Sequence, residues 1–386
     1  MPGPDLRLPR PRRIRRGAAL TLVFAAVLAT GAATNTLPRD EDAEPRPLAV
    51  RPAGSTVDRE DLARAAAEAV ADGKSGTEAA EEFVSRSGDR WGSVYDEREY
   101  ESFRQALDGR YTGVGLWARR SGDGRVEVAR VQDGGPADRA GIRAGDRLRA
   151  IDGEAVDRRP VTEVVALLRG RERTSVALGL ERAGRSWTRS LTRATVATES
   201  VTVEHLHGGA VMIKIAAFTK GSGARVREAV RGAPHGAGVL LDLRGNPGGL
   251  VTEAVTAASA FLDGGLVATY DLRGEQQALY AEPGGDTERP LVALVDGGTM
   301  SAAELVTGAL QDRGRAVTVG SRTFGKGSVQ MPSELPGGSV AELTVGHYRT
   351  PAGHSVDGAG ITPDLPADEG AEEQARTVLG GLGTGS

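Results

Sequence analysis

Two segments of this sequence share one pattern, in which a run of apolar residues ends in a glycine-rich turn and the chain then continues as a helix. Residues 239–243 (VLLDL) precede the turn 244–249 (RGNPGG), and residues 291–295 (LVALV) precede the turn 296–300. Buried parallel strands have such continuous apolar runs, and their alternation with helices is typical of an α/β unit. The pattern therefore predicts an α/β domain over about residues 183–370. Free backbone N–H groups at such turns and helix starts favour the binding of an oxyanion.

The second of these turns leads to Ser301 at the start of a predicted helix. Five apolar residues of that helix recur with helical spacing: Ala302, Leu305, Val306, Ala309 and Leu310. Burial of this face holds Ser301 at the positive end of the helix, where a nucleophile would be placed. A serine at this position is also a common N-cap residue, so a purely structural role stays open.

Lys326 stands between two glycines in residues 322–330 (RTFGKGSVQ), and the chain has three other lysines, Lys74, Lys214 and Lys220. The flanking glycines allow the backbone to pack around the ammonium and to exclude water. A general base near neutral pH requires that the lysine pKa fall by about 3 from an ordinary value near 10.4, which burial achieves. Gln330 follows at a spacing that allows a hydrogen bond to the amine. The alternative is a solvated surface lysine.

Residues 111–182 have a different pattern, with short strands, glycine turns and one clear helix at 161–169. Gly113 and Gly115 precede a strand and allow consecutive N–H groups to form a nest for a carboxylate. The segment 134–153 (GGPADRAGIRAGDRLRAIDG) predicts a helix that begins at proline and ends at glycine, followed by tight turns. Three apolar residues of the clear helix either form the wall of a groove or lie in the core: Val164, Val165 and Leu168.

The amino terminus is basic and then uncharged. Residues 1–34 contain six arginines and one aspartate in their first half and no charge in their second half. This is typical of an export signal, cleaved or kept as a membrane anchor, and predicts a protein outside the cytoplasmic membrane, either secreted or anchored to its outer face. Residues 35–57, rich in Pro, Arg, Asp and Glu, predict a linker. Residues 58–110 predict an N-terminal helical region, and residues 371–386 a C-terminal tail.

Six motifs follow one another in a set order: GVG at 113–115, GPADRAGIRAGD at 135–146, LDLRGNPGGL at 241–250, MSAAE at 300–304, RTFGKGSVQ at 322–330 and YRTPAGHSVDGAGITPDL at 348–365. Over about residues 88–365 the chain thereby resembles the carboxyl-terminal processing, or tail-specific, serine proteases. The resemblance implies a multidomain fold of the α/β and α+β classes. It consists of a crotonase/Clp-like β-β-α protease core, an inserted PDZ domain and an N-terminal helical region.

The resemblance also assigns residues to roles. Ser301 matches the nucleophile, Lys326 the general base and Gln330 the residue that positions the lysine, while the N–H groups of Gly248 and Ala302 match the oxyanion donors. The implied partners are proteins or peptides with free C-terminal tails, which the PDZ groove recognises. Six residues are candidates for that groove: Gly113, Val114, Gly115, Leu116, Val164 and Leu168. Four positions near the nucleophile depart from the family pattern, and they leave the substrate preference open: Asp296, Thr299, Met300 and Ala303.

Composition and spacing exclude several other classes of protein. The chain has no cysteine, which rules out a disulfide framework, a Cys nucleophile and a thiolate zinc site. Of its 48 basic and 52 acidic residues, six and one lie in residues 1–34, so residues 35–386 hold 42 and 51 and do not attract nucleic acid. Residues 320–327 (GSRTFGKG) lack the hydroxyl and the helix of a phosphate loop. The histidines lack metal-ligand spacing, so we expect neither a metal nor a cofactor.

Two other functions stay open at this point. A secreted peptide-binding scaffold would use the PDZ groove and would bind tails without cleaving them. A crotonase-like acyl-transfer enzyme would share the strand, turn and oxyanion arrangement, but it would turn over thioesters and would not need the PDZ module. Neither the physiological substrate nor the oligomeric state follows from the sequence.

Overall fold

The computed structural model of the chain describes residues 58–383, apart from residues 123, 158, 273 and 274. The export signal and linker expected over residues 1–57 lie outside the described residues. Within the described part, no helix combines the length and the apolar character needed to cross a membrane.

The described chain begins with a helical region of three helices and one short strand: α1 (Arg59–Ala71), α2 (Gly76–Ser87), β1 (Ser93–Tyr95) and α3 (Glu97–Leu107). Local side chains start these helices. The Asp58 carboxylate accepts a hydrogen bond from the Glu60 N–H at 2.8 Å, and Asp96 forms a capping box with Glu99 at the start of α3. These caps satisfy N–H groups that have no partner inside a helix.

The next part of the chain is a module of eight strands and two helices: β2 (Arg110–Gly113), β3 (Leu116–Arg120), β4 (Val126–Val131), α4 (Pro136–Arg139), β5 (Arg147–Ile151), β6 (Glu154–Ala155), α5 (Val161–Leu168), β7 (Ser175–Arg182), β8 (Arg185–Thr192) and β9 (Ala194–Ala197). Its main sheet has the order β3-β4-β5-β7-β8, so β3 is an edge strand. Strands β2 and β9 pair with each other, with Gly113 opposite Ala194. The chain therefore enters and leaves this module at one place.

The remainder forms the α/β core: β10 (Val201–His205), β11 (Val211–Ile215), α6 (Ser222–Gly232), β12 (Val239–Asp242), α7 (Val251–Ala258), β13 (Leu266–Leu272), β14 (Glu275–Tyr280), β15 (Leu291–Val295), α8 (Ala302–Asp312), β16 (Val317–Gly320), β17 (Ser328–Glu334), β18 (Val340–Arg349), β19 (Leu365–Pro366) and α9 (Ala371–Gly383). Two sheets organise it. One has the order β10-β11-β12-β15-β16-β19, and the other joins β1, β18, β13 and β14, with β17 also on β18.

The parallel part of the six-stranded sheet positions the two glycine-rich turns. Strands β12 and β15 are parallel neighbours, with Asp242 opposite Leu294. Their carboxyl ends therefore lie side by side, and the turns 244–249 and 296–300 leave the sheet at the same edge. This is where parallel α/β sheets place their functional loops.

Both faces of this sheet are covered. Leu241, Ala293 and Val295 belong to a large buried cluster that also contains the apolar face of α8. The opposite face, with Leu240 and Leu294, packs against α9 through three buried residues, Ala371, Ala375 and Leu379. Residues 371–383, expected as a tail, are thus a helix packed on the core, because this strip of apolar residues has the spacing of one helix face.

Candidate active site

Ser301 lies where the turn after β15 meets helix α8, and its backbone is strained. Its φ is 55° and its ψ −119°, in a region that residues other than glycine rarely adopt. The Ser301 N–H donates to Glu304 Oε2 at 2.9 Å, and the Tyr348 hydroxyl donates to the Ser301 carbonyl at 2.9 Å. The strained conformation is therefore held from both sides of the residue, as is usual for a side chain presented for chemistry.

The two glycine-rich turns are bound to each other. The Asp296 carboxylate accepts hydrogen bonds from the Gly245 N–H at 2.8 Å and the Gly298 N–H at 2.9 Å. The Met300 N–H donates to the Asn246 carbonyl at 2.9 Å. Asp296, a departure from the family pattern, thus serves as an acceptor between turns, a role that requires only one side-chain oxygen at this position.

Gly248 and Ala302 both lie next to Ser301. A Cβ atom on Gly248 would lie 2.9 Å from Ser301 Cβ and 3.0 Å from the Ala302 nitrogen, so only glycine fits so close to the predicted nucleophile. Ala302 is the first residue of α8, and its N–H has no acceptor within the helix. The Gly248 N–H donates to Asn246 Oδ1 at 2.8 Å. Both predicted oxyanion donors are therefore at the site, and that of Gly248 is held by Asn246 in this structure.

Lys326 follows β16 and comes close to an aromatic ring. Its Nζ lies 5.3 Å from the ring centre of Trp91, which belongs to the N-terminal helical region. Among the described residues, no carboxylate oxygen lies within 4.0 Å of this Nζ. Burial lowers the pKa of Lys326, while the more distant carboxylates of Glu342, Asp89, Asp357 and Glu304 oppose the change. The direction of the net shift is the one that a lysine base requires.

A buried carboxylate joins the Ser301 and Lys326 backbones. Glu304, with no exposed surface, accepts four hydrogen bonds, from Ser301 N–H (2.9 Å), Lys326 N–H (2.8 Å), Gly325 N–H (2.7 Å) and the Thr323 hydroxyl (2.6 Å). Burial raises the pKa of Glu304, and these donors oppose that rise because they favour the charged form. One side chain thus fixes the turn of the predicted nucleophile against the turn of the predicted base.

Tyr348, on β18, is a second link between the same two residues. Its hydroxyl lies 2.9 Å from the Ser301 carbonyl and 3.3 Å from the Lys326 carbonyl. It has one hydrogen to donate, and the shorter distance assigns that hydrogen to Ser301. Burial raises the pKa of this phenol well above its ordinary value, so it remains a donor throughout the physiological range.

Gln330 lies on β17, and its hydrogen bonds run away from the lysine. Its Nε2 donates to Ser328 Oγ at 2.7 Å and to Thr344 Oγ1 at 3.3 Å. The Thr344 hydroxyl in turn donates to Asp89 Oδ1 at 2.8 Å. The sequence-based prediction that Gln330 holds the amine remains a prediction, because in this structure its contacts connect β17 to the N-terminal region.

The inserted module has the geometry needed to accept an added strand. Strand β3 is at the edge of its sheet and packs beside α5. Gly115 has a φ of 75° just before this strand, and Gly113 ends β2. The side chains of four other groove candidates lie in the module's core, each 7% exposed or less: Val114, Leu116, Val164 and Leu168. A peptide here would meet the backbone edge of β3 more than these side chains.

Three residues of the site were not assigned a role from the sequence: Glu304, Tyr348 and Trp91. Glu304 had a local indication, because Ser301 and Glu304 have the spacing of a capping box. Among the described residues, there is no group of three or more His, Asp or Glu side chains placed to hold a metal ion.

Comparison with known proteins places these features in context. Residues 210–367 match peptidase family S41, and residues 127–182 match a PDZ domain. The carboxy-terminal processing protease CtpA of Bacillus subtilis is 33% identical over 288 residues, 72% of this chain and 61% of that protein. The chloroplastic carboxyl-terminal-processing peptidase 3 of Arabidopsis thaliana is 34% identical over 307 residues, which are 74% of this chain and 59% of that protein. This chain thus spans about three fifths of the length of these relatives.

A solved structure shows the same similarity in three dimensions. The photosystem II D1 C-terminal processing protease is 30% identical and superimposes with a TM-score of 0.50, covering 80% of this chain and 86% of the other. The match therefore extends over the inserted module as well as the α/β core.

Proposed function

Because this chain belongs to peptidase family S41, the C-terminal processing serine proteases, and carries a PDZ domain, we propose that it is an endopeptidase that recognises the C-terminal tails of its protein substrates. The observation that carries the proposal is the Glu304 carboxylate, which joins the backbones of Ser301 and Lys326. Two distant glycine-rich turns are thereby brought together with a strained serine on one and a partly buried lysine on the other. A scaffold that only binds peptides has no need of this arrangement.

In the proposed reaction, neutral Lys326 Nζ takes the proton of the Ser301 hydroxyl while Ser301 Oγ attacks the carbonyl carbon of the scissile bond. The negative charge that develops on the carbonyl oxygen is stabilised by the Ala302 N–H and, once Asn246 releases it, by the Gly248 N–H. The Lys326 ammonium then protonates the leaving amine, and an acyl-enzyme remains. Water attacks the ester, Lys326 takes its proton, and that proton returns to Ser301 as the new carboxyl product leaves.

The edge of β3 is the proposed docking site for the substrate. An extended tail adds as a strand beside α5, and the N–H groups around Gly115 bind its carboxylate. Backbone contacts of this kind give affinity for many tails, so sequence preference arises from side chains next to the groove and near the scissile bond.

The experiment uses the protein residues 39–386 and a loosely folded substrate with a free apolar C-terminus. We expect fragments with the parent and none with Ser301→Ala or Lys326→Ala. Lys220→Ala is a matched control, because Lys220 is an exposed lysine of the same core, and it should cleave like the parent. Cleavage that survives in Ser301→Ala would overturn the proposal, and so would tail binding without cleavage by the parent.

A second substrate tests the role of the tail. The same protein with its C-terminal carboxylate amidated should be cleaved more slowly, through a higher KM, because the nest of N–H groups loses its anion. Thioester turnover without peptide cleavage would instead favour the acyl-transfer alternative.

The proposal also places the protein outside the cytoplasmic membrane. Its support is the basic segment and the uncharged stretch in residues 1–34, which are typical of an export signal. Fractionation of cells that produce the full chain tests this placement, and recovery of the protein in the cytosol alone would contradict it.

A further inference from the structure

The loop of residues 88–92, between α2 and β1, lies against the α/β core although it is far from that core in sequence. Asp89 shapes the loop by accepting hydrogen bonds at Oδ1 from the Trp91 N–H (3.1 Å) and the Gly92 N–H (2.9 Å). The same carboxylate accepts from the Thr344 N–H and the Thr344 hydroxyl, both at 2.8 Å. Four hydrogen bonds on one carboxylate thus fold the 88–92 loop and fasten it to β18.

Trp91 is the side chain that this loop presents to the site. Its ring centre lies 5.3 Å from Lys326 Nζ and 5.7 Å from the ring centre of Phe324. The Arg90 guanidinium lies 4.7 Å from the same indole. The indole therefore has two neighbours besides the lysine, and it occupies space from which water would otherwise hydrate the ammonium.

Carboxylates on several elements act on Lys326, but within the part of the chain that the structure describes none forms an ion pair with it. The carboxylates of Glu342 on β18, Asp89 on the loop, Asp357 after β18 and Glu304 on α8 all attract the ammonium. Asp357 also faces His347 at 3.8 Å. Each carboxylate opposes the loss of the lysine's proton, so only the exclusion of water favours the neutral amine.

The indole face itself attracts a cation, which also opposes proton loss. Against the charges of the four carboxylates, burial is the largest cause and lowers the lysine pKa. Loss of water therefore outweighs those charges, and the Trp91 indole, 5.3 Å from the amine, is placed to contribute to that loss.

We infer that the 88–92 loop is a fixed cover for the catalytic base, in which Trp91 excludes water from Lys326 and Asp89 fastens the cover to β18. Trp91 and Asp89 are positioning residues that act through the lysine and do not touch the substrate. The inference rests on the proposed function in so far as Lys326 is the base of that reaction. It gives the N-terminal helical region a part in the chemistry of the core.

The test is the pH profile of kcat/KM for Trp91→Ala and Trp91→Phe. In Trp91→Ala, water reaches Lys326 and raises its pKa. The acid limb of the profile, where kcat/KM falls as the pH falls, should therefore move up by about one pH unit. The value of kcat/KM should be roughly tenfold lower at pH 7 and should recover above about pH 9. Trp91→Phe keeps an apolar ring and should restore most of the parent profile. Phe103→Leu, an aromatic substitution on α3 of the same region, should leave the profile unchanged. A loss that is equal at every pH would overturn the inference.

Thr344→Val provides a second variant if Trp91→Ala does not fold. It removes the hydroxyl that donates to Asp89 Oδ1 at 2.8 Å and changes no charge near Lys326, so the acid limb should move up as in Trp91→Ala, by a smaller amount. An unchanged acid limb in this variant would also overturn the inference.

A measurement without turnover separates this inference from the proposed function. The chain has four lysines, so the labelling of each by an amine-reactive reagent can be followed by mass spectrometry in a Ser301→Ala background. Lys326 should label with a midpoint at lower pH than Lys74 and Lys220, and Trp91→Ala should move that midpoint up. If Lys326 labels like the exposed lysines, the lysine-base proposal itself fails. If its midpoint is low but does not respond to Trp91→Ala, only the cover fails.

Discussion

In two clusters of ionisable residues in the α/β core, the pKa shifts run in opposite directions, toward the charged forms in one and toward the neutral forms in the other. The first, here called the Asp242 cluster, contains Lys214, Asp242, Arg244 and Glu372. Asp242 accepts from Lys214 Nζ at 3.3 Å and from Arg244 Nε at 2.8 Å, and Arg244 also meets Glu372 at 3.0 Å. Burial raises the pKa of Asp242, but the hydrogen bonds and charges of its cations outweigh burial and hold the pKa below its ordinary value.

The second cluster surrounds Lys326, and there burial prevails. Burial lowers the pKa of Lys326, and it raises the pKa of both Glu342 and Glu304. In the Asp242 cluster the charged forms are favoured because each charge touches an opposite charge. Around Lys326 the pKa shifts run toward the neutral forms, because burial acts there on groups that form no ion pair with the lysine among the described residues. The difference shows that contact between opposite charges decides the direction in which burial and charge together shift a pKa.

The largest expected effect is a difference between the two clusters in their response to a lysine-to-arginine substitution. Lys326→Arg should lower kcat/KM by about a thousandfold or more, because a guanidinium does not give up its proton and cannot act as a base. Lys214→Arg should keep kcat/KM within about twofold, because a guanidinium pairs with Asp242 as well as an ammonium does. Steady-state kinetics on the same substrate measures both variants. Similar losses in the two would remove the distinction between the clusters.

The next effect is on stability. Asp242→Asn should lower the free energy of unfolding by about 3 kcal/mol at pH 7, because two cations lose their buried partner. Since the folded-state pKa of Asp242 is lowered, its stabilisation is present above an ordinary aspartate pKa of about 4 and is lost as the pH falls through the folded-state pKa. Urea unfolding at several pH values measures this.

The control for this prediction is Asp271→Asn, which changes an exposed carboxylate on β13 and should leave stability within about 0.5 kcal/mol. An Asp242→Asn variant that is as stable as the parent at pH 7 would mean that the cluster's ion pairs do not offset their desolvation.

The smallest effect concerns the lysine's distant carboxylates. Glu342→Gln removes an attraction that favours the ammonium, so the acid limb of kcat/KM should move down by about half a pH unit. Glu334→Gln changes an exposed carboxylate at the end of β17 and should leave the acid limb in place. A shift to higher pH in Glu342→Gln would show that this carboxylate does not act on Lys326 through its charge.

The parts of the site that depend on local pattern were predictable from the sequence. The buried strand β15, the start of α8 at Ser301 and the buried face of α8 follow from an apolar run and from helical spacing, and the structure confirms them. The inserted module and the mixed α/β fold are also confirmed. They were predictable because their glycine turns and strand lengths are determined over short stretches of sequence.

Two further features, helix α2 and the role of Glu304, were not predicted from the sequence although each had a local indication. Helix α2 begins after Ser75, whose Oγ accepts from the Glu78 N–H at 3.2 Å, and this spacing of serine and glutamate precedes many helices. The same spacing, Ser301 to Glu304, precedes α8. In that second case the carboxylate reaches beyond its own helix to Gly325 and Lys326, which helix capping does not predict.

Tyr348 and Trp91 had no such indication. Tyr348 reaches Ser301 only because β18 pairs with β13 and β17 in a particular register, and Trp91 reaches Lys326 because Asp89 binds Thr344. These contacts join segments that are far apart in the chain. No spacing within one segment contains that information, so the cover over the lysine becomes visible only in three dimensions.

The pairing of β2 with β9 has a consequence for the history of such a gene. Gly113 and Ala194 lie opposite each other in an antiparallel ladder, where partner Cα atoms are about 5 Å apart. The ends of the interrupted core are thus as close as the two arms of a hairpin. A stretch of coding sequence for residues 114–193 can be gained, lost or exchanged at this point while the core keeps its own chain path. The inserted module and the α/β core are therefore free to evolve at different rates within one polypeptide.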